Sequence, residues 1–132
     1  MILVDSNVII DVLTSDPSWR AWSKATLDEL REQDQLAINP VIYAELACAF
    51  QTETEIKAAL PESEFVQLEL PYAAAFMAGQ CFLRYRRQGG LKRSPLPDFY
   101  IGAHALVEKY TLVTRDAGRY RTYFPGLKLI TP

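Results

Sequence analysis

The stretch Met1-Ile2-Leu3-Val4-Asp5-Ser6-Asn7-Val8-Ile9-Ile10-Asp11-Val12-Leu13 reads as a strand, a tight turn and a helix in immediate succession. Ile2-Leu3-Val4 is apolar without alternation, as a short strand covered on both faces must be. Asp5-Ser6-Asn7 then supplies side chains that cap a helix start. The pattern recurs. Leu36-Ala37-Ile38 is a second buried strand, followed by Asn39 as N-cap and Pro40 at the first helical position of a helix from Val41 to about Phe50. Phe65 to Leu70 reads as a third strand, and Pro71 opens a helix through Tyr85. Tyr110 to Thr114 is a fourth strand, Ala117 to about Tyr123 a short helix, and Leu127 to Ile130 a final strand. Among the intervening segments, Asp16-Pro17 opens a helix with Trp19, Trp22, Ala25, Leu27 and Leu30 on its apolar side, both tryptophans reading as core. Glu53 to Leu60 forms a further helix, and Pro97 begins another. Strands alternating with helices predict an α/β fold, a doubly wound parallel sheet of about five strands flanked by helices.

With 132 residues and 49% hydrophobic composition, the chain can bury one core and is short for two, so residues 1–132 are expected to form a single domain. No run approaches the roughly 20 apolar residues of a membrane span. The N-terminal segment lacks the basic flank and cleavage site of a signal peptide. These features lead us to expect a soluble, cytoplasmic protein without a membrane partner. Cys48 and Cys81 lie in apolar, helix-like stretches without Cys or His neighbours, and read as two buried thiols. The net charge of -2 hides a basic segment, Arg84 to Arg93, which Gly89-Gly90 breaks into a loop.

Four acidic residues stand out. Asp5 ends the first strand and Asp116 closely follows the fourth, and a parallel sheet delivers both to its carboxyl edge, where ligands bind in such folds. Asp98 falls in the first turn of its helix, where the dipole favours an anion. Glu45 lies about a turn and a half into a helix among Val41, Ile42, Ala44, Leu46 and Ala47, with no Lys or Arg between Arg31 and Lys57 to balance it. Singly, Asp5 and Asp98 could be helix caps and Asp116 a turn residue. Together they make a ligand set for Mg²⁺ or Mn²⁺, hard cations that prefer oxygen.

These motifs in this order, Met1 to Ile9, Val41-Ile42-Tyr43-Ala44-Glu45-Leu46, Leu96-Pro97-Asp98-Phe99-Tyr100-Ile101-Gly102-Ala103 and Leu112-Val113-Thr114-Arg115-Asp116, resemble those of VapC-type PIN-domain toxins across nearly the whole chain. The resemblance implies that Asp5, Glu45, Asp98 and Asp116 are the metal-binding catalytic carboxylates, supported by Ser6, Asn7 and Thr114. Gly118 stands where some members add another acidic residue, so one metal is expected and a second site stays open. The implied activity is endoribonuclease cleavage, in this family often of tRNA or rRNA, by water activated on Mg²⁺ or Mn²⁺. A homodimer and a cognate VapB-type antitoxin are implied as well. Arg84, Arg86, Arg87, Lys92 and Arg93, with Tyr85 interleaved, run towards Asp98 and are candidates for RNA backbone contact, as is Arg115 beside Asp116. The sole histidine, His104, reads as packing or surface rather than as a general base.

Two rival readings stay open. An aspartyl-nucleophile phosphatase would suit an Asp at the end of the first strand, although position 7 is Asn where such enzymes usually carry a second Asp. A non-catalytic PIN-like module binding RNA or protein would use the acidic residues only as caps.

Overall fold

Strand β1 (Ile2–Val4) occupies the centre of the sheet, and all three of its residues are buried, as an apolar run without alternation requires. A computed structural model of the chain describes residues 1–93 and 96–132. After β1 come α1 (Ser6–Leu13), α2 (Arg20–Gln33), β2 (Leu36–Ile38), α3 (Pro40–Ala47), α4 (Glu53–Ala59) and β3 (Val66–Gln67). Then follow α5 (Tyr72–Arg87), α6 (Pro97–Glu108), β4 (Thr111–Val113), α7 (Gly118–Tyr123) and β5 (Leu129–Ile130). The five strands are all parallel, in the order β3-β2-β1-β4-β5, and helices flank the sheet. The chain therefore walks outward from β1 through β2 to β3, and returns to the other side of β1 for β4 and β5. The reversal falls between β1 and β4, at the point where open parallel sheets form their ligand crevice.

Register fixes what emerges there. Leu3 pairs with Ala37 on one side and Leu112 on the other, and Val4 pairs with Val113. Asp5 and Thr114 consequently leave the sheet side by side, with the Asp5 amide donating to the Val113 carbonyl at 3.0 Å.

The Asn39-Pro40 helix start is as expected: Asn39 Oδ1 accepts from the Ile42 amide at 2.9 Å, and Pro40 opens α3. Pro97 likewise opens α6, which buries Phe99, Ile101, Gly102, Ala103, His104 and Ala105. A glycine in mid-helix normally costs about 1 kcal/mol against alanine. Here it makes room, because a Cβ at Gly102 would come within 2.5 Å of the Phe124 ring and 3.1 Å of Tyr120.

Several elements differ from the sequence reading. Helix α2 begins at Arg20, since Asp16 Oδ1 accepts from the amides of Ser18 and Trp19 at 2.9 and 2.8 Å and turns Asp16-Pro17 into a loop. Trp19 is outside the core, sitting under the Arg115 guanidinium at 5.4 Å and edge-on to Trp22, which packs on the core's rim. Ala25 is exposed, while the polar Ser23 is buried. The outer strands are shorter than expected, two residues each for β3 and β5, because an edge strand has only one neighbour to extend it. Cys81 is buried, but Cys48 lies exposed at the C-terminal cap of α3.

Gly102→Ala is expected to lower stability by about 1–3 kcal/mol through overpacking against Phe124 and Tyr120, in spite of the better helix former. Urea unfolding of the metal-free protein measures it, and a more stable variant would refute the close-approach account.

Candidate active site

Asp5 is 4% exposed and fixed at both oxygens. Its Oδ1 accepts from the Ser6 amide at 2.8 Å, which makes Asp5 the N-cap of α1. Its Oδ2 accepts from the Thr114 hydroxyl at 2.8 Å and the Tyr120 phenol at 2.9 Å. Thr114 is fully engaged: it donates to Asp5 and accepts from Asn7 Nδ2 at 3.3 Å and the Asp116 amide at 3.2 Å. Asn7 in turn accepts the Arg115 amide at 3.1 Å, so α1 and the loop after β4 are tied together. Ser6 Oγ donates to Glu45 Oε1 at 3.0 Å and joins α3 to the same group.

The other carboxylates grade outward. Glu45 and Asp98 are partly buried, and Asp116 is exposed. Asp98 lies 3.4 Å from the Tyr120 hydroxyl, whose one proton goes to the nearer Asp5, and Asp98 forms an ion pair with Arg119 at 3.4 Å. Among the described residues Arg119 is the one cation in contact with the four carboxylates. Burial, and then the charge of Asp98, pushes the Asp5 carboxyl up, against the pull of Thr114 and Tyr120. Glu45 is raised by burial and by the charges of Asp5 and Asp98. Asp98 is raised by burial and by Asp116, with Arg119 and Tyr120 opposing. Tyr120 itself is pushed well above its ordinary range, chiefly by burial and next by Asp5 and Asp98, so it remains a hydrogen-bond donor.

The donor set suits a hard divalent cation: carboxylate oxygens of one sign, with Asp5, Glu45 and Asp98 raised in pKa by burial first and by neighbouring carboxylates next, and a single arginine against them. Among the described residues, however, no three acidic, His or Cys side chains stand ready around one point. Asp5 is turned onto Thr114 and Tyr120, Glu45 onto Ser6 and Asp98 onto Arg119.

The basic candidates are dispersed. Arg84 lies over the Tyr123 ring at 5.2 Å, and Arg86 donates to the Lys92 carbonyl at 2.8 Å. Arg87, Lys92 and Arg93 are exposed. Arg115 has another occupation: its Nε and one terminal nitrogen grip the buried Asp11 at 2.9 and 3.0 Å, where Ser23 Oγ also donates at 2.7 Å. His104 is buried, accepts from Asn39 Nδ2 at 3.0 Å and is lowered in pKa by that burial, which gives it a packing role. Sequence reasoning missed Tyr120 and Arg119. No local pattern marks them, because they reach Asp98 and Asp5 only once α7 packs against α6.

Residues 2–125 match the family model described as PIN domain. The chain belongs to the PIN domain family. PIN domains are generally nucleases and generally use divalent metals, and the family is the one the four motifs resemble. Three solved structures illustrate the likeness. A toxin–antitoxin complex from Klebsiella pneumoniae aligns at 27% identity and TM-score 0.70, covering 100% of this chain and 98% of that one. FitAcB from Neisseria gonorrhoeae gives 26% identity and TM-score 0.69, covering 98% and 96%. VapBC2 from Rickettsia felis bound to a promoter DNA fragment gives 20% identity and TM-score 0.75 over 100% and 99%, a likeness of fold. No curated protein sequence matches this PIN domain.

The raised carboxyls have a consequence for stability. Because their folded pKa values exceed the unfolded ones, their favourable contribution is full below the unfolded values near 4, and it is lost as pH climbs through the raised folded values. The metal-free domain is therefore expected to lose stability from about pH 4 towards neutrality on account of these groups. Glu45→Gln should raise its melting temperature by roughly 2–4 °C near pH 7 and have no effect near pH 4. Calorimetry in chelator measures both, and a variant less stable near pH 7 would contradict the cost assigned to burying a charged Glu45 beside Asp5 and Asp98.

Proposed function

We propose that this PIN domain, taken as one domain over residues 1–132, is a metal-dependent endoribonuclease acting as the toxin of a toxin–antitoxin pair. The observation that carries the reading is the convergence of buried and part-buried carboxylates at one sheet edge, Asp5 joined to Glu45 through Ser6 and to Asp98 through Tyr120, against one weakly paired arginine. Carboxylates drawn together at such a cost call for a compensating cation. Asp5, Glu45, Asp98 and Asp116 would hold one Mg²⁺ or Mn²⁺. When bound, that ion supplies Lewis acidity: a lowered pKa for water and neutralisation of charge on the scissile phosphate.

The chain's own residues do the rest. Thr114, Tyr120 and the Ser6 amide hold the Asp5 carboxylate in one orientation, and Ser6 Oγ orients Glu45. Asn7 keeps Thr114 in register, while the Asp11–Arg115 ion pair anchors the loop that bears Asp116. Arg84, Arg86, Arg87, Lys92 and Arg93 are offered as contacts to the RNA backbone. A cavity of about 780 Å³ elsewhere, lined by Tyr43, Lys57 and Glu69 among others, contains none of the four carboxylates, and the most exposed of these, Asp116, faces open solvent. Such a site suits a polymer laid across the sheet edge better than an enclosed small molecule.

The resemblance to VapC toxins makes tRNA or rRNA the expected substrate and a homodimer the expected assembly. The toxin–antitoxin neighbours support a VapB-type antitoxin as partner. No helix among the described residues is long and apolar enough to cross a membrane, in keeping with a proposed cytoplasmic location. The phosphatase reading is weaker, because an Asp5 carboxylate that is buried and holds three hydrogen bonds is poorly placed to attack phosphorus.

Purified protein incubated with total RNA is expected to cut in Mg²⁺ or Mn²⁺ and not in chelator. Asp5→Asn should lose more than about a hundredfold in rate, beyond what partners of metal ligands typically carry. Mapping the new ends identifies the target. A folded, metal-binding protein that binds RNA without cutting would instead establish the non-catalytic module.

A further inference from the structure

Arg119 stands where the carboxylates meet an aromatic ledge. One of its terminal nitrogens lies 3.4 Å from Asp98 Oδ2, and its guanidinium carbon lies 6.0 Å from the centroids of both Tyr85 and Phe99. Tyr85 meets Phe99 edge-on at 5.8 Å, and Phe99 meets Tyr123 at 4.9 Å. Tyr123 carries Arg84 over its ring at 5.2 Å. Helices α5, α6 and α7 thus bring two guanidiniums onto a run of rings in which Phe99 is buried and Tyr85 and Tyr123 are part-exposed.

The Arg119–Asp98 pair is easily broken. A 3.4 Å contact is long for a charged hydrogen bond. The two side chains are 41% and 33% exposed, so solvent screens them. A divalent cation on Asp98 outbids a single positive charge and repels it at contact. The part-exposed Tyr85 ring, 6.0 Å away, keeps a released guanidinium close by, and its planar fork matches a phosphate.

We propose that Arg119 is a displaceable counter-ion, which neutralises Asp98 in the metal-free protein and, once displaced by the metal, binds a phosphate of the RNA strand. The proposal rests on the metal-dependent ribonuclease reading. It requires one substitution to act in opposite directions on metal and substrate, which a merely structural arginine would not do.

The test uses the intact protein with Arg119→Gln and Arg119→Lys, each checked for folding by its melting curve. Mn²⁺ affinity is read without RNA by electron paramagnetic resonance, and cleavage of a synthetic single-stranded RNA gives kcat and KM. Arg119→Gln should bind Mn²⁺ about two- to fivefold more tightly, the scale of an exposed ion pair. Its KM should rise about tenfold at little-changed kcat, with the salt slope of KM reduced by about 0.7, one phosphate contact on a single strand. Arg119→Lys should keep the Mn²⁺ affinity and show an intermediate KM, since it retains the charge but not the fork. If Arg119→Gln does not fold, the lysine variant decides: an unchanged KM overturns the proposal. Unchanged or weaker Mn²⁺ binding by a folded Arg119→Gln, or an unchanged KM, overturns the proposal and leaves the metal reading standing. A wild-type protein that binds no Mn²⁺ overturns both.

Discussion

The repulsion among Asp5, Glu45, Asp98 and Asp116 is the constraint that the surrounding structure answers. Burial raises the pKa values of Asp5, Glu45 and Asp98, and the charge of neighbouring carboxylates adds to that. The fold offsets this chiefly with neutral donors, the hydroxyls of Thr114 and Tyr120 on Asp5 and that of Ser6 on Glu45, and with one base, Arg119 on Asp98. Those donors depend on further packing. Gly102 leaves space for Phe124 and Tyr120 against α6, and Asp11 grips Arg115 so that the loop following β4 stays in place. Neutral donors hold the carboxylates without cancelling their charge, and so leave the cluster attractive to a cation.

Much of the fold was legible because its signals are local. The β1 run, the Asn39-Pro40 cap and the Pro97 start each lie within a few residues, and the structure forms each where the sequence places it. What was not legible depends on competition between similar local options. Asp16 could cap a helix or close a turn, and its bonds to Ser18 and Trp19 chose the turn. Trp19 is large and apolar yet amphipathic, and a guanidinium above it serves as well as the core. The lengths of β3 and β5 were set by having a single neighbour, which hydropathy does not report.

The candidate site divides in the same way. The four acidic positions were visible from motif and strand context, and the parallel register explains why Asp5 and Thr114 emerge together. Tyr120 and Arg119 were not visible, because their placement depends on α7 packing against α6 and on the rings of Tyr85 and Phe99. Arg115 shows the converse: its position beside Asp116 suggested phosphate contact, whereas its guanidinium is occupied by a buried aspartate that no linear pattern announces.

The most direct measurement is anomalous diffraction from a crystal of this protein soaked in Mn²⁺. A peak among the Asp5, Glu45, Asp98 and Asp116 carboxylates is expected, with the Arg119 guanidinium moved off Asp98. No peak there at saturating Mn²⁺, with Arg119 still paired to Asp98, would contradict the claim that this carboxylate cluster exists to hold a metal.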